Sequence, residues 1–454
     1  MIIRRYMKPI SHLRIALLLA AIGISDVYAQ KTWTLQDCID YAVENNIQIQ
    51  KNRIAEEKGE VALWKNRGAL LPSLNFSTNH NVGYRPFTET MSVVQGDQVT
   101  STKSNTTYQG SYSLNASVTL WNGGINQKNI QAQKLQNDIN RLSTEQSELD
   151  IQEQIAQLYV QIMYTKEALK VSNQLLGTAK SQYDRGVQMM EQGQMAKADV
   201  AQLEAQLSSA KYDVVNSETQ IANYKRQLKS LLELDINSDF DIAGDIPGDE
   251  SVLGIIPDKA ETYSKALATR PEIRSAELGI ESAELNLNIA RRGYLPTLGA
   301  SASVGTNHTS GSNDKYGIQM KNNLNMNAGL TLSVPIFDKR TSNTNVKNAK
   351  LEQMNSQLDL LDKKTALSNA IEQYWINANS NQQSYMAAKA RAKSQEASYE
   401  LLNERFLNGL KNTVDVLQGR DNLTSAEQDM LQAKYTTLLN IQLLRFYAGE
   451  KMTL

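Results

Sequence analysis

Cysteine is nearly missing from this chain: Cys38 is the only one in 454 residues. A lone thiol excludes an internal disulfide framework. Histidine is as scarce, and His12, His80 and His308 are too few for a histidine-based metal centre. No excess of positive charge exists either, since 47 Lys and Arg face 48 Asp and Glu. The electrostatic footprint of a nucleic-acid binder is therefore absent. Aromatic residues make up 6%, whereas Gln, Asn, Ala and Ser are plentiful, a balance that suits extended helices better than compact cores. The length alone would admit two or three ordinary domains. Nowhere do Ser-His-Asp, Cys-His or paired carboxylates gather on a compact scaffold, so neither an enzyme nor a cofactor is expected.

Long apolar runs are missing too, with one exception. Ile15–Ile24 follows Arg4, Arg5, Lys8 and Arg14, and Val27-Tyr28-Ala29 offers small residues at both cleavage positions. This is the layout of a secretory signal peptide over residues 1–29, cleaved before Gln30. The run is too short to stay in a bilayer, and no cysteine at the cleavage point offers a lipid anchor. Its loss removes four basic residues and Asp26, which shifts the net charge from −1 to −4. No later stretch approaches about 18 apolar residues. The mature chain is expected to leave the cytoplasm without a transmembrane helix.

What remains is written twice. "RGALLPSLNFSTNHNVGY" (67–84) is echoed by "ARRGYLPTLGASASVG" (290–305), with Arg67, Leu71 and Pro72 matching Arg291, Leu295 and Pro296 at an offset of 224. "SVTLWNGG" (117–124) lies opposite "SVPIFDKR" (333–340) at an offset of 216. That second offset runs on without a gap through Tyr183 and Tyr399, Gly193 and Gly409, and Asp199 and Asp415. The difference of eight places a longer loop in the first copy. The spacing predicts one repeat at 30–256 and another at 257–454. In each, a helix ends at Leu-Pro, because proline lacks the donor and clashes with the preceding turn. Two strands follow, and a long helix starts at Asn122 or Asp338, whose short side chains can cap free amides.

The four strands are expected at about 72–86, 107–121, 295–308 and 322–337. In the first, Leu74, Phe76, Val82 and Tyr84 share one parity, opposite Ser73, Asn75, Ser77, Asn79 and Asn81. In the second, Tyr108, Tyr112, Leu114, Ala116, Val118 and Leu120 alternate with Ser, Thr, Asn and Gln; the fourth alternates likewise from Leu324 to Ile336. Period two sends each set to its own face. A half-buried strand of a soluble sandwich is the plain alternative, but the chain has no second sheet to pack against. Lipid outside and water inside fits better, with Trp121, Tyr294 and Phe337 at one membrane interface and Tyr84, Phe87 and Tyr108 at the other. Four strands cannot close, since bacterial barrels start at about eight, and open edges are not tolerated in lipid. The barrel must be shared: two subunits would give a filled interior, three a passage.

Residues 122–190 contain no proline and make a rod of roughly 100 Å at 1.5 Å per residue; 338–406 match it. The returning helix 196–232 is shorter, and the helix leading to Tyr294 would make up the difference if the two stacked end to end. Val200, Leu203, Leu207, Ala210, Val214, Ser217, Ile221, Tyr224, Leu228 and Leu231 form a coiled-coil seam at strict 3-4 spacing, as do Ile371, Tyr374, Ala378, Asn381, Tyr385, Ala388, Ala392, Gln395, Tyr399, Leu402 and Phe406. The hairpins span about 122–232 and 338–447, and 233–256 reads as an irregular equatorial belt.

Duplicated strand-strand-hairpin halves, paired Leu-Pro corners and a G-x5-D-V pattern at 193–200 and 409–416 resemble the TolC family of outer-membrane efflux proteins. The resemblance covers essentially all of 31–450. It implies a mainly α fold with a membrane β-barrel portion: a homotrimer whose twelve-stranded barrel, set in outer-membrane lipid, is continuous with a twelve-helix periplasmic α-barrel. The implied function is a passive exit duct of a tripartite efflux or type I secretion system in a Gram-negative bacterium. Its implied partners are a periplasmic adaptor and an inner-membrane pump of RND, ABC or MFS type. By the same resemblance, Gln192, Gly193 and Gln194 and, in the second copy, Asn408, Gly409 and Leu410 form adaptor-docking tips. Asp199 and Asp415 follow the tip glycines by six residues, and in the family tip carboxylates narrow the entrance. The family's latch arginine, which pairs with the first-copy aspartate (Asp199 here) to hold the entrance shut, stands as Lys411, a flexible point charge rather than a fork, so a weaker latch is expected. A second entrance aspartate is replaced by Gln418, so the acidic ring has three carboxylates rather than six.

Blander readings stand beside these. Asp199 and Asp415 also suit a helix N-terminus by dipole alone. Met189, Met190 and Met195 read as adaptable contact surface, and His80 and His308 as rim residues. "YDRG" (183–186) competes as a tip, but the ungapped repeat places it inside the helix. The rival function is a secreted coiled-coil structural or adhesive protein without a pore, which leaves the paired amphipathic strands unexplained. Cargo and pump class are not legible.

Overall fold

The computed structural model describes residues 32–453 apart from 88–90, 96–97, 103–105, 245–247, 311 and 313. The signal segment and its cleavage point lie outside the described residues. Strand β1 (Thr32–Trp33) leads into α1 (Leu35–Asn45) and α2 (Ile47–Gly68). Then come β2 (Ser73–Tyr84), the hairpin β3 (Met91–Gln95) and β4 (Gln98–Thr102), and β5 (Thr106–Trp121). The first long hairpin is α3 (Ile125–Glu191) and α4 (Lys197–Leu231), followed by β6 (Asp241–Ile242) and α5 (Asp249–Val252). The second half runs through α6 (Lys259–Thr269), α7 (Pro271–Arg291), β7 (Thr297–Thr309), α8 (Tyr316–Asn322) and β8 (Asn325–Ser333). It ends with α9 (Thr341–Leu407) and α10 (Thr413–Tyr447). The rods α3 and α9 each have 67 residues, and the returning α4 and α10 each have 35.

Strands β2, β5, β7 and β8 form one antiparallel sheet in that order. β2 and β8 are its edges. The helices beside the sheet follow the same order: α2 packs on α3, α3 on α7, and α7 on α9. Farther away, α4 packs on α3, α3 on α10, and α10 on α9. α9 therefore borders the wall along its whole length, and α2 and α4 together form the opposite border.

Both seams are enclosed at their central positions, while Ser217, Tyr224 and Leu231 in the first and Tyr374, Asn381, Ala388, Gln395 and Leu402 in the second are half-buried. Val200, Leu203, Leu207, Ala210, Val214, Ile221 and Leu228 face α3, and the heptad series Ile371, Ala378, Tyr385, Ala392, Tyr399, Phe406 is enclosed throughout. Heptad spacing keeps such a stripe on one side of a supercoiled pair. Where α4 and α10 stop, other helices take over. Asn46 caps α2 by accepting from the amides of Gln48 and Ile49, and its Nδ2 donates to the Leu231 carbonyl at 2.9 Å, joining the start of α2 to the end of α4. In the second copy Arg270 opens α7 and lies 4.1 Å over the Tyr447 ring at the end of α10. The helix leading to Tyr294 thus continues α10, and α2 continues α4. This corrects the expected stacking of 196–232 on that helix, and the reason is order along the wall: α7 sits between α3 and α9.

Two further expectations shift. The long helices start three residues after Asn122 and Asp338, at Gly124 (φ +80°) and Arg340 (φ +69°) as N-caps. The short side chains still work, because Asn122 Oδ1 accepts from the Asn126 amide and Asp338 Oδ2 from Ser342. The fourth strand is shorter than 322–337. Residues 316–322 are helical, and pairing ends at Ser333 ahead of Pro335, which has no ladder donor.

The main core lies at the equator, around Cys38, Ile49, Ile155, Ile162, Leu228, Ile242, Ile273, Ile371 and Leu444. Burial, then the charge of Asp37, pushes the Cys38 thiol up to about 12, which leaves it inert. The belt is tied to both hairpins. Asp241 on β6 pairs with Lys166 of α3 at 2.5 Å and Lys225 of α4 at 3.0 Å. Asp249 at α5 accepts from Tyr385 of α9 at 2.6 Å and pairs with Lys389. Burial works against the charge on Asp241, but the hydrogen bonds from the two lysines outweigh it and hold the carboxyl below its ordinary range.

A depressed folded pKa means that the contribution of Asp241 is complete above the ordinary carboxylate value of about 3.9 and is lost as pH falls through the lower folded value. Asp241→Asn is expected to lower the thermal unfolding temperature at pH 7, with the gap to the native protein closing below about pH 4. A gap unchanged at pH 3 would contradict the ion-pair account.

Candidate functional site: the sheet wall and the hairpin tips

The apolar parity of the sheet is bare. Leu74, Phe76, Val82 and Tyr84 are 66–68% exposed, and Met326, Leu330 and Leu332 are 64–71% exposed. No described element covers them, so this face meets either lipid or another molecule. Trp121, Tyr294 and Phe337 lie at the helix end of the sheet, while Tyr84, Phe87 and Tyr108 lie at the far end, all exposed. Aromatics at two levels around a smooth apolar band match a membrane-spanning sheet. The far level holds more than those three. His80, Tyr108, Tyr112, His308 and Tyr316 form one ring cluster, with Tyr108 stacked on His80 at 5.8 Å and Tyr316 edge-on to His308 at 4.8 Å. Gly110 sits between the two histidines in register, where a Cβ would collide with the His308 ring. Shared parity in the sequence is the signal for His80, Tyr112 and His308. Tyr316 needs α8, which the strand pattern conceals.

The other parity is polar and uncharged. None of β2, β5, β7 or β8 contains Asp, Glu, Lys or Arg. Along the lower wall these groups satisfy one another: Ser73 with Ser117 at 2.9 Å, Ser77 with Ser113 at 2.7 Å, and Asn327 Nδ2 donating to Asn325 at 3.2 Å.

At the opposite end of the rods both turns close alike. Gln192 is the C-cap of α3, Gly193 takes φ +75°, and the Gln194 amide donates back to the Met189 carbonyl at 2.8 Å. Asn408, Gly409 (φ +70°) and Leu410, donating to Arg405 at 2.9 Å, repeat the motif. This is the Schellman closure, and the left-handed residue is glycine because a Cβ is penalised there. Asp199 and Asp415 occupy the third position of α4 and α10, where the helix dipole favours an acid; Asn412 caps α10 by accepting from the Asp415 amide at 2.8 Å. Lys411 pairs with Asp415 in its own turn at 3.0 Å, not with Asp199. Gln418 bonds along its helix to Asn422. Gly186 lies inside α3.

The two hairpins grip each other two turns above the tips. Gln182 Nε2 donates to the Tyr399 hydroxyl at 3.1 Å and to Asn403 at 2.9 Å, and Arg185 donates to the Leu407 carbonyl at 2.9 Å. Met195 packs on Tyr399, Phe406, Val416 and Leu423, so the first tip is seated in the second hairpin's core. Among the described residues no group of acids, histidines and cysteines could hold a metal ion, and no helix is long and apolar enough to cross a membrane.

These features define an outer-membrane channel subunit: a membrane sheet with a polar inner face, prolonged by paired helical rods. The family model for outer membrane efflux proteins matches residues 38–233 and 262–450, and the chain belongs to that family. It is a channel protein of the Gram-negative outer membrane. The alkaline protease secretion protein AprF of Pseudomonas aeruginosa is 24% identical over 424 residues, 91% of this chain and 84% of that protein. TolC of Escherichia coli is 25% identical over 272 residues, covering 57% of this chain and 53% of TolC. Among solved structures, CusC superposes with a TM-score of 0.77 at 17% identity over 92% of both chains. The CmeC channel of Campylobacter jejuni gives 0.75 at 20% identity, over 92% of this chain and 86% of CmeC.

A close approach of rods recurs in swapped form. A Cβ on Gly186 of α3 would lie 2.6 Å from Leu203 of α4, and one on Gly419 of α10 would lie 2.7 Å from Leu402 of α9. At the offset of 216, Gly186 matches Leu402 and Leu203 matches Gly419. Each hairpin keeps one glycine and one leucine at this level on opposite helices. Gly186→Ala is expected to cost about 1–3 kcal/mol by overpacking, and Leu203→Ala about 2–5 kcal/mol through a cavity. Chemical denaturation of the double variant should show less than the sum of the two. Simple additivity would contradict the direct contact.

Proposed function

We propose that three copies of this chain close side by side into a twelve-stranded barrel and a twelve-helix tunnel, forming a passive exit duct without enzymatic activity. The observation that carries this reading is the coincidence of borders. The edge strands β2 and β8 belong to the same two sides of the chain as the edge helices α2 and α9. Both edge helices carry bare apolar stripes at heptad spacing, Ile47, Ile54, Val61 and Trp64 on α2 and Leu351, Met354, Leu358 and Leu361 on α9. The α9 stripe of one copy fits the α2 stripe of the next, and the same rotation brings β8 against β2, which leaves no strand edge in lipid.

The relatives named above belong to secretion and efflux systems, and the duct is proposed to serve in a tripartite efflux or type I secretion assembly. An inner-membrane pump of RND, ABC or MFS type would supply the energy. The tips Gln192-Gly193-Gln194 and Asn408-Gly409-Leu410 are proposed to dock a periplasmic adaptor, since they are the exposed turns that close the two long hairpins. Asp199 would constrict the entrance as a ring of three carboxylates, with Asp415 paired to Lys411 and Gln418 standing where a second entrance acid would be.

In planar bilayers, Asp199→Ala is expected to raise single-channel conductance by removing ring charge, whereas Lys411→Ala, which leaves Asp415 unneutralised, is expected to lower it. Conductance unchanged in both variants would remove the gating role from these residues while leaving the duct intact.

A further inference from the structure

The uncharged wall is not uniform along its length. At the outer end of the polar face, two neighbouring rows of the sheet bring together Asn79, Ser111 and Asn307, then Asn81, Gln109 and Thr309. With Gln319 and Asn323 from α8 and its end they line a cleft of about 640 Å³, a size typical of small-ligand sites. Gln319 is fixed, accepting from the Thr309 amide at 2.9 Å and donating to the Asp314 carbonyl at 2.7 Å. Asn323 donates to the Asn307 carbonyl at 2.8 Å. The side chains of Asn79, Asn81, Gln109 and Asn307 bond to no described residue, whereas lower on the same wall the serines and asparagines bond to one another. Four free carboxamides therefore face one concavity.

We infer that this cleft is a subsite for neutral, polyhydroxylated cargo, an uncharged oligosaccharide. The chemistry favours that class. Each carboxamide presents two N–H donors and an acceptor oxygen, in rows about 4.8 Å apart between strands, so a chain of hydroxyls that both donate and accept finds partners along its length. Ionic cargo meets no carboxylate, ammonium or guanidinium, because the lining, which Gly110 and His308 complete, contains no Asp, Glu, Lys or Arg. Apolar cargo meets no apolar lining, because Leu114, Val304 and their neighbours are on the opposite parity. The inference rests on the polar face being the inner wall of the duct.

The test reconstitutes the full protein in planar bilayers and adds maltohexaose, and separately a neutral Gly-Ser peptide of similar mass, on the side of the β3–β4 hairpin. Resolved, concentration-dependent interruptions of the current by maltohexaose are expected. In Asn79→Ala combined with Asn307→Ala, the half-blocking concentration should rise about fivefold or more, two hydrogen-bonding groups having been removed. Neither side chain bonds to a described residue, so the variant's unblocked conductance should match that of the native channel. A native channel that maltohexaose does not block, a block equal in the double variant, or a stronger block by the peptide would each overturn the subsite. A protein that forms no channel would instead overturn the duct reading on which it rests.

Discussion

A strand edge cannot be left open in hydrocarbon. Each unpaired amide or carbonyl there costs several kcal/mol, and the sheet β2-β5-β7-β8 has an entire strand of such groups on either side. Everything else in the chain is arranged so that one operation can satisfy both edges. Strand order and helix order run in parallel, so a single side-by-side contact can bury β8, β2, the α9 stripe and the α2 stripe together. The exposed apolar surface follows from the same fact. It is a face and two borders designed for surroundings the single chain does not contain.

The internal duplication makes that wall economical. Each copy supplies two strands, a 67-residue rod, a 35-residue return and a two-helix cap that restores the missing length at the equator. There the two copies are locked to the belt by different acids, Asp241 to the first hairpin and Asp249 to the second. Below the equator the exchanged glycine and leucine at 186/203 and 402/419 let both helix pairs approach equally closely with opposite partners. The strand-to-helix corner shows the same tolerance. It needs two successive left-handed residues, supplied by Gly123 and Gly124 in one copy and by Lys339 and Arg340 in the other, where the side chains carry strain.

Much of this is legible in the sequence because period determines face. Alternation from Ser73 to Tyr84 separates lipid from water, and the 3-4 spacing from Val200 to Leu228 marks a buried seam. Gly193 and Gly409 are readable as turns because a left-handed position excludes most other residues. The parts that escape are those set by tertiary order. Leu324 continues the alternation of β8, yet the ladder starts at Asn325, because α8 uses the preceding residues to cover Thr306 and His308. The stacking of α4 on α2 depends on which helix is a neighbour, which no local pattern records. The partner of Lys411 escapes too: it pairs with Asp415 from the turn ahead of α10, and no local pattern ranks that acid against Asp199.

The central claim concerns copy number, and native mass spectrometry of the detergent-extracted protein reads it most directly. Three chains in one particle, stable until the detergent shell is stripped, is the predicted result. A particle of one chain, with both edges of the sheet unpaired in the micelle, would contradict it.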